Sequence, residues 1–223
     1  MISLKLIVDL SIGTVFMFIP VIIQSIWYKF NLFKAALVTV ILTVVGTIGT
    51  YILFFIENHW IGGTSFYGAV FFTPIAFIIV ALLLRTPYGV LVDLCAPAEC
   101  VMLSIMKVQC LLSGCCAGRE ILVAGDRIVR FPSQIAEMIN AILLLVLLMI
   151  LARRTRFKGL LYPIYMIAYG ASRFILNFLR ESNSNFALGM SAGHFWSILS
   201  VFVGISWLLI IKSKIRNKRI DVS

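Results

Sequence analysis

Residues 169–183 read YGASRFILNFLRESN and place two permanent cations, Arg173 and Arg180, in and beside an otherwise apolar run. At about 100° per residue, Tyr169, Arg173, Asn177 and Arg180 share a helical face about 80° wide. An arginine at membrane depth costs about 2.5–3.5 kcal/mol on the insertion scale, so such a stripe turns toward a bundle interior or an aqueous cavity. Arg180 can snorkel outward, whereas Arg173 has farther to reach. Guanidinium grips phosphate with a planar, two-pronged donor set, and two of them on one face near head-group level suit a phospholipid head group. The competing reading pairs Arg173 with a buried acid such as Glu137 and makes it a staple between helices.

The segment RFPSQIAE, residues 130–137, supplies the acid. Pro132 suits a first helical turn, and Gln134 and Glu137 stand one turn apart on the same face. Glu137 has two open roles: ion pairing with Lys107, Arg119 or Arg173, and, as a desolvated carboxylate, general base. In IGGTSFYGA, residues 61–69, Gly62, Gly63 and Gly68 permit close approach of backbone to backbone or ligand. In LLSGCCAGRE, residues 111–120, Gly114 and Gly118 form a GxxxG pattern suited to tight helix packing. Cys115 or Cys116 as a nucleophile is the alternative, opposed by the raised pKa of a thiol in apolar surroundings.

Metal chemistry finds little support in these patterns. Asp93, Glu99 and Glu137 are too scattered to hold magnesium, and His59 and His194 lack partners at ligand spacing. The five cysteines, Cys95, Cys100, Cys110, Cys115 and Cys116, are odd in number and show no CxxC pair, against both a disulfide framework and a zinc site. The expectation is metal-free chemistry without a cofactor.

The elements that must position these groups are membrane helices. The chain is 61% hydrophobic, with a mean hydropathy of +1.06, far above soluble domains. Apolar runs at 7–28, 35–56, 68–84, 90–112, 135–151, 160–179 and 193–211 are continuous and without alternation, which predicts seven transmembrane helices rather than a barrel. The fourth, interrupted by Asp93, Glu99 and Lys107, is helical or partly re-entrant. Of the 19 lysines and arginines, twelve fall on one side, including Arg153, Arg154, Arg156, Lys158 and the tail at 212–223. The positive-inside rule then puts the N-terminus outside and the C-terminus in the cytoplasm. The formal charge of +10 reflects this bias and attraction to anionic head groups, and does not indicate nucleic-acid binding. No cleavable signal peptide is evident, and LSGC at 112–115 is read as a chance likeness to a lipoprotein cleavage box. The expectation is one all-α polytopic membrane domain over 1–223, without repeats or long linkers.

Together the motifs resemble the prolipoprotein diacylglyceryl transferase family over residues 60–209, in the family's order. GGTSFYGA is similar to its Gly-Gly loop, Asp93 and Pro97 fit the approach to the next motif, and SGCCAGR fits its Asn-Gly-Glu-x-x-Gly-Arg signature. FPSQIAE is similar to its His-Pro-Ser-Gln-Leu-Tyr-Glu, YGASRFILNFLRE to its Tyr-x-x-x-Arg-Phe-x-x-Glu-Phe-x-Arg-Glu, and MSAGHFWSIL to its Met-Gly-Gln segment. The resemblance implies transfer of diacylglyceryl from phosphatidylglycerol to the lipobox cysteine of a prolipoprotein, in the bacterial inner membrane, with release of glycerol phosphate. Its implied partners are phosphatidylglycerol, prolipoprotein signal peptides and the membrane. It implies catalytic roles for Glu137, Tyr67, Tyr169 and Arg173, and phospholipid binding by Lys107, Arg119, Gln134, Arg173, Arg180, Gly62 and Gly63. The departures are Tyr67 for the Gly-Gly loop histidine, Lys107 for an arginine, Cys115 for the signature glutamate, Phe131 for the Pro-Ser-Gln histidine and Asn177 for an acid. A phenol with a reference pKa of about 10 is a poorer base than histidine. A paralogue with another acceptor, a non-catalytic phospholipid binder and, last, a small transporter are the alternatives.

Overall fold

In a computed structural model the described residues, 4–59, 63–116, 118–123, 127–154, 158–180, 186 and 189–220, form a seven-helix bundle with one short hairpin. The helices are α1 (Leu4–Tyr28), α2 (Leu32–Asn58), α3 (Tyr67–Leu84), α4 (Tyr88–Leu112), α5 (Ser133–Arg154), α6 (Leu161–Asn177) and α7 (Ala192–Ile220). Six are long and apolar enough to cross a membrane, and α6, with 17 residues, is shorter. The protein is a multi-pass, almost entirely helical membrane protein. Large apolar side chains such as Ile75, Ile78, Ile79, Leu82 and Leu83 remain exposed along one face of α3, as a lipid-facing stripe requires.

α4 is an unbroken helix, so the re-entrant reading of the fourth run falls. Its charges have partners inside the bundle. The Asp93 carboxylate accepts the Gly159 and Leu161 N–H groups at 2.6 and 2.9 Å, which ties α4 to the connection entering α6. Glu99 accepts the Tyr162 hydroxyl at 3.0 Å, and Lys107 pairs with Glu137. Paired in this way, polar groups are tolerated at membrane depth, and residues 91–100 are buried throughout.

α2 and α3 approach until Gly49 and Gly68 meet backbone to backbone. A Cβ on Gly68 would run into the Gly49 carbonyl, so this contact needs a small residue on each side.

Between α4 and α5 the sequence reading, which expected an all-α domain, took Gly114 and Gly118 as a helix-packing pattern. The chain instead forms strands β1 (Glu120–Val123) and β2 (Arg127–Arg130), antiparallel with Glu120 opposite Arg130 and Val123 opposite Arg127. The two tetrapeptides, EILV and RIVR, carry β-branched residues between charged ends and are too short to register in a search for membrane-length runs. Gly118 forms a bridge with Arg180, and the Arg119 N–H donates to the Leu179 carbonyl at 3.0 Å, so this connection is laced to the end of α6.

Candidate functional site

Three helices bring their charges to one point. Lys107 from α4 lies 2.6 Å from one oxygen of Glu137 on α5, and Arg173 from α6 contacts the other. Both Glu137 and Arg173 are buried. The pairing reading of Glu137, with Lys107 and Arg173, is therefore realised. Each of its oxygens carries a cation, which leaves little basic capacity for accepting a substrate proton.

Tyr169 sits one turn before Arg173 and packs beside Tyr67 at the start of α3, ring centroids 5.3 Å apart. The Tyr67 hydroxyl hydrogen-bonds Ser197 of α7 at 2.7 Å, and the Asn177 amide reaches the same Ser197 oxygen at 3.5 Å. α6 ends at Asn177, so Arg180 lies just past the helix rather than on its stripe, held by the bridge to Gly118.

These groups line a cavity of about 330 Å³ that includes Tyr67, Lys107, Glu137, Tyr169, Arg173 and Arg180. Three cations there face two carboxylates, Glu137 and Glu57, leaving one net positive charge. A second cavity of about 260 Å³, lined by groups such as Leu10, Met17, Leu42, Met102 and Ile105, adjoins it. Thr64, Phe66, Met106 and Cys110 line both. A polar chamber opening beside an apolar slot suits a molecule with an anionic head and acyl chains.

Other expected site residues fall elsewhere. Arg119 is exposed and does not line the cavity. Gln134 is buried, and its amide donates to the Cys115 carbonyl at 2.6 Å, while the Ser133 hydroxyl donates to the Cys116 carbonyl at 2.6 Å. These two side chains fix the backbone of the 113–116 segment rather than facing a ligand. Gly63 lies against the Phe54 ring, and Gly62 lies outside the described residues.

Sequence reasoning missed Glu57, Ser197 and the cysteine geometry. Glu57 accepts the Ser65 hydroxyl at 2.6 Å on the cavity wall; its signal was a carboxylate at the very end of a span. The cysteine spacing had set a zinc site aside, yet the sulfur atoms of Cys110, Cys115 and Cys116 all lie within 4.8 Å of one another. The end of α4 and the turn after it bring together what the sequence spaces without a motif. The Cys110 thiol donates to Cys116. With the nearby Arg180 and Lys107 charges, this holds the Cys116 thiol well below the usual thiol range despite burial.

A family model described as prolipoprotein diacylglyceryl transferase matches residues 7–210. The phosphatidylglycerol–prolipoprotein diacylglyceryl transferase of Geobacter sulfurreducens is 33% identical over 144 residues, covering 61% of this chain and 55% of that protein. The protein of the same name from Methylobacillus flagellatus is 28% identical over 207 residues, covering 83% and 79%. That from Polaromonas naphthalenivorans is 29% identical over 174 residues, covering 72% and 64%. The matched region thus spans less than two thirds of the Geobacter and Polaromonas relatives.

Proposed function

The chain belongs to the prolipoprotein diacylglyceryl transferase family, and from that premise we propose that it moves the diacylglyceryl group of phosphatidylglycerol onto a prolipoprotein's lipobox cysteine. The observation that carries this reading is the pair of joined cavities, one cationic and one apolar. The single net positive charge of the polar chamber complements the one negative charge of a phosphodiester. Arg180, free of any described ion pair, and Arg173, oriented by Glu137, are assigned to the phosphate. Lys107 completes the cationic wall, and the acyl chains occupy the slot beside Met102 and Ile105.

In the reaction the acceptor sulfur attacks the glyceryl carbon that carries the phosphate oxygen. The C–S bond forms as the C–O bond breaks, and the electron pair leaves on glycerol phosphate. Guanidinium groups fixed before the reaction stabilise the charge that grows on that leaving group. Tyr169 and the Tyr67–Ser197 pair shape the wall where the two substrates meet. Lys29, Arg85, Arg153 and Arg154 lie at or just past the ends of α1, α3 and α5, at the opposite end of the bundle, which, by the positive-inside rule, supports a cytoplasmic face there, with the cavity at the outer leaflet of the inner membrane.

A second reading keeps the phospholipid and changes the acceptor; the phenol of Tyr67 in place of the histidine that the resemblance implies favours it. The two separate when glycerol phosphate release from phosphatidylglycerol micelles is measured with lipobox peptides carrying Cys or Ser. Release that requires the cysteine supports the transfer, and release indifferent to it supports the second reading. Arg180→Gln should lower kcat/KM by about tenfold to a hundredfold, as loss of a charge-assisted phosphate contact implies. An unchanged kcat/KM would remove Arg180 from the site.

A further inference from the structure

The reaction proposed above needs a thiolate, and the described carboxylates that line the cavity are engaged with partners, Glu57 with the Ser65 hydroxyl at 2.6 Å. Glu137 is committed to two cations, Tyr67 is a phenol bonded to Ser197, and Phe131 has no proton to exchange. Beside that cavity stand three sulfurs that the proposed reaction leaves unused. Cys110 closes the last turn of α4, and Cys115 and Cys116 follow in the turn beyond it.

We infer that Cys110, Cys115 and Cys116 form a three-thiolate site for a divalent cation of the zinc class, with the fourth coordination place open to the acceptor thiol. The three sulfur atoms lie within 4.8 Å of one another. Tetrahedral Zn–S bonds of about 2.3 Å place sulfurs about 3.8 Å apart, so closure asks for movements of about 1 Å. The turn has that freedom at Gly114, whose φ of 68° and open surroundings leave its position unconstrained by packing.

The local backbone is arranged for this purpose. Cys116 holds a left-handed φ of 61°, a conformation rare in a residue with a Cβ. Ser133 and Gln134 clamp the carbonyls of the two adjacent cysteines from the first turn of α5. Ser113 donates to the Cys115 sulfur at 3.3 Å. Three thiolates around a divalent cation carry one net negative charge, and Lys107 and Arg180 share the cavity wall with Cys110 and Cys116.

Three protein ligands and one open place is the arrangement of a catalytic zinc rather than a structural one. A thiol that binds there loses its proton to water at the cavity mouth and stays as a zinc-bound thiolate. That sulfur then takes the glyceryl carbon as the C–O bond to phosphate breaks, with no change of oxidation state. The metal would thus activate the thiol without a protein base. Metal binding does not depend on the transfer reading; only the role of the fourth ligand rests on it.

The test uses the full chain in phosphatidylglycerol micelles, reduced and loaded with one equivalent of cobalt(II) or zinc. Cobalt should give a thiolate charge-transfer band of three-sulfur intensity, lost in Cys110→Ser and Cys116→Ser. A lipobox peptide with Cys, and not with Ser, should then shift the cobalt ligand-field bands. Without any variant, zinc should protect Cys110, Cys115 and Cys116 of the wild-type chain from alkylation, as read by peptide mass spectrometry. No stoichiometric binding by the reduced chain, binding indifferent to both serine variants, or a Cys110–Cys116 disulfide that resists mild reductant overturns the site. Thioether formation undiminished in chelator-stripped protein overturns the metal's role and leaves the transfer reading standing. A metal that takes the peptide thiol without any thioether product sustains the site and defeats the transfer reading instead.

Discussion

Glu137 carries the charge balance of the cavity. It lies on α5 where a carboxylate alone would be costly, and it meets a lysine from α4 and an arginine from α6. Removing one member of such a buried network strands the others, at about 3–5 kcal/mol. Glu137→Gln is therefore expected to lower thermal stability in detergent by that order and to reduce accumulation in membranes. Adding Lys107→Met should recover part of the loss, because one uncompensated cation then disappears. Recovery of nothing would mean that the triad is not the source of the cost. Arg173, Lys107, Glu137 and Tyr169 were legible in the sequence, because ionisable or hydrogen-bonding groups in apolar runs must turn inward, whereas Tyr67, just before such a run, was named through the family resemblance. Arg119 and Gln134 were legible as motif members, and position in a motif does not say which way such a side chain points.

At the scale of elements, the site depends on how the turn after α4 is held against the start of α5. Gln134 and Ser133 each donate to a carbonyl of that turn. Gln134→Ala removes one such bond, worth about 1 kcal/mol, and is expected to speed amide hydrogen exchange across residues 113–116 while leaving the middle of α5 protected. Exchange unchanged in that turn would show that the clamp is not made by Gln134. A comparable tie exists at the other end of α4, where Asp93 accepts two backbone N–H groups. Asp93→Ala should destabilise the bundle by about 2–4 kcal/mol, two lost bonds to a charged acceptor; full stability in a thermal melt would contradict this.

The helices themselves were readable from apolar length, and the structure places all seven close to the expected runs. α6 ends at Asn177, so the helical stripe that placed Arg180 beside Arg173 gives way to a turn, and the bridge to Gly118 restores the proximity. Neither the β1–β2 hairpin nor the gathering of three sulfurs has a local sequence signature, because both arise from where the chain turns.

At the scale of the molecule, an apolar exterior surrounds a polar chamber that opens beside an apolar slot. Cys115 is exposed near that chamber, so with the basic helix ends in the cytoplasm a membrane-impermeant maleimide should label it from outside intact spheroplasts once a chelator has removed bound metal. Labelling only after permeabilisation would invert the proposed orientation. The central claim is that the chamber hands a diacylglyceryl group to a thiol. The most direct test incubates the purified chain with phosphatidylglycerol micelles and a lipobox peptide, and follows the peptide by mass spectrometry. A diacylglyceryl adduct localised to the peptide cysteine, and diminished with Arg180→Gln, is the predicted result. Unmodified peptide, under conditions in which the Geobacter relative forms the adduct, would contradict the account.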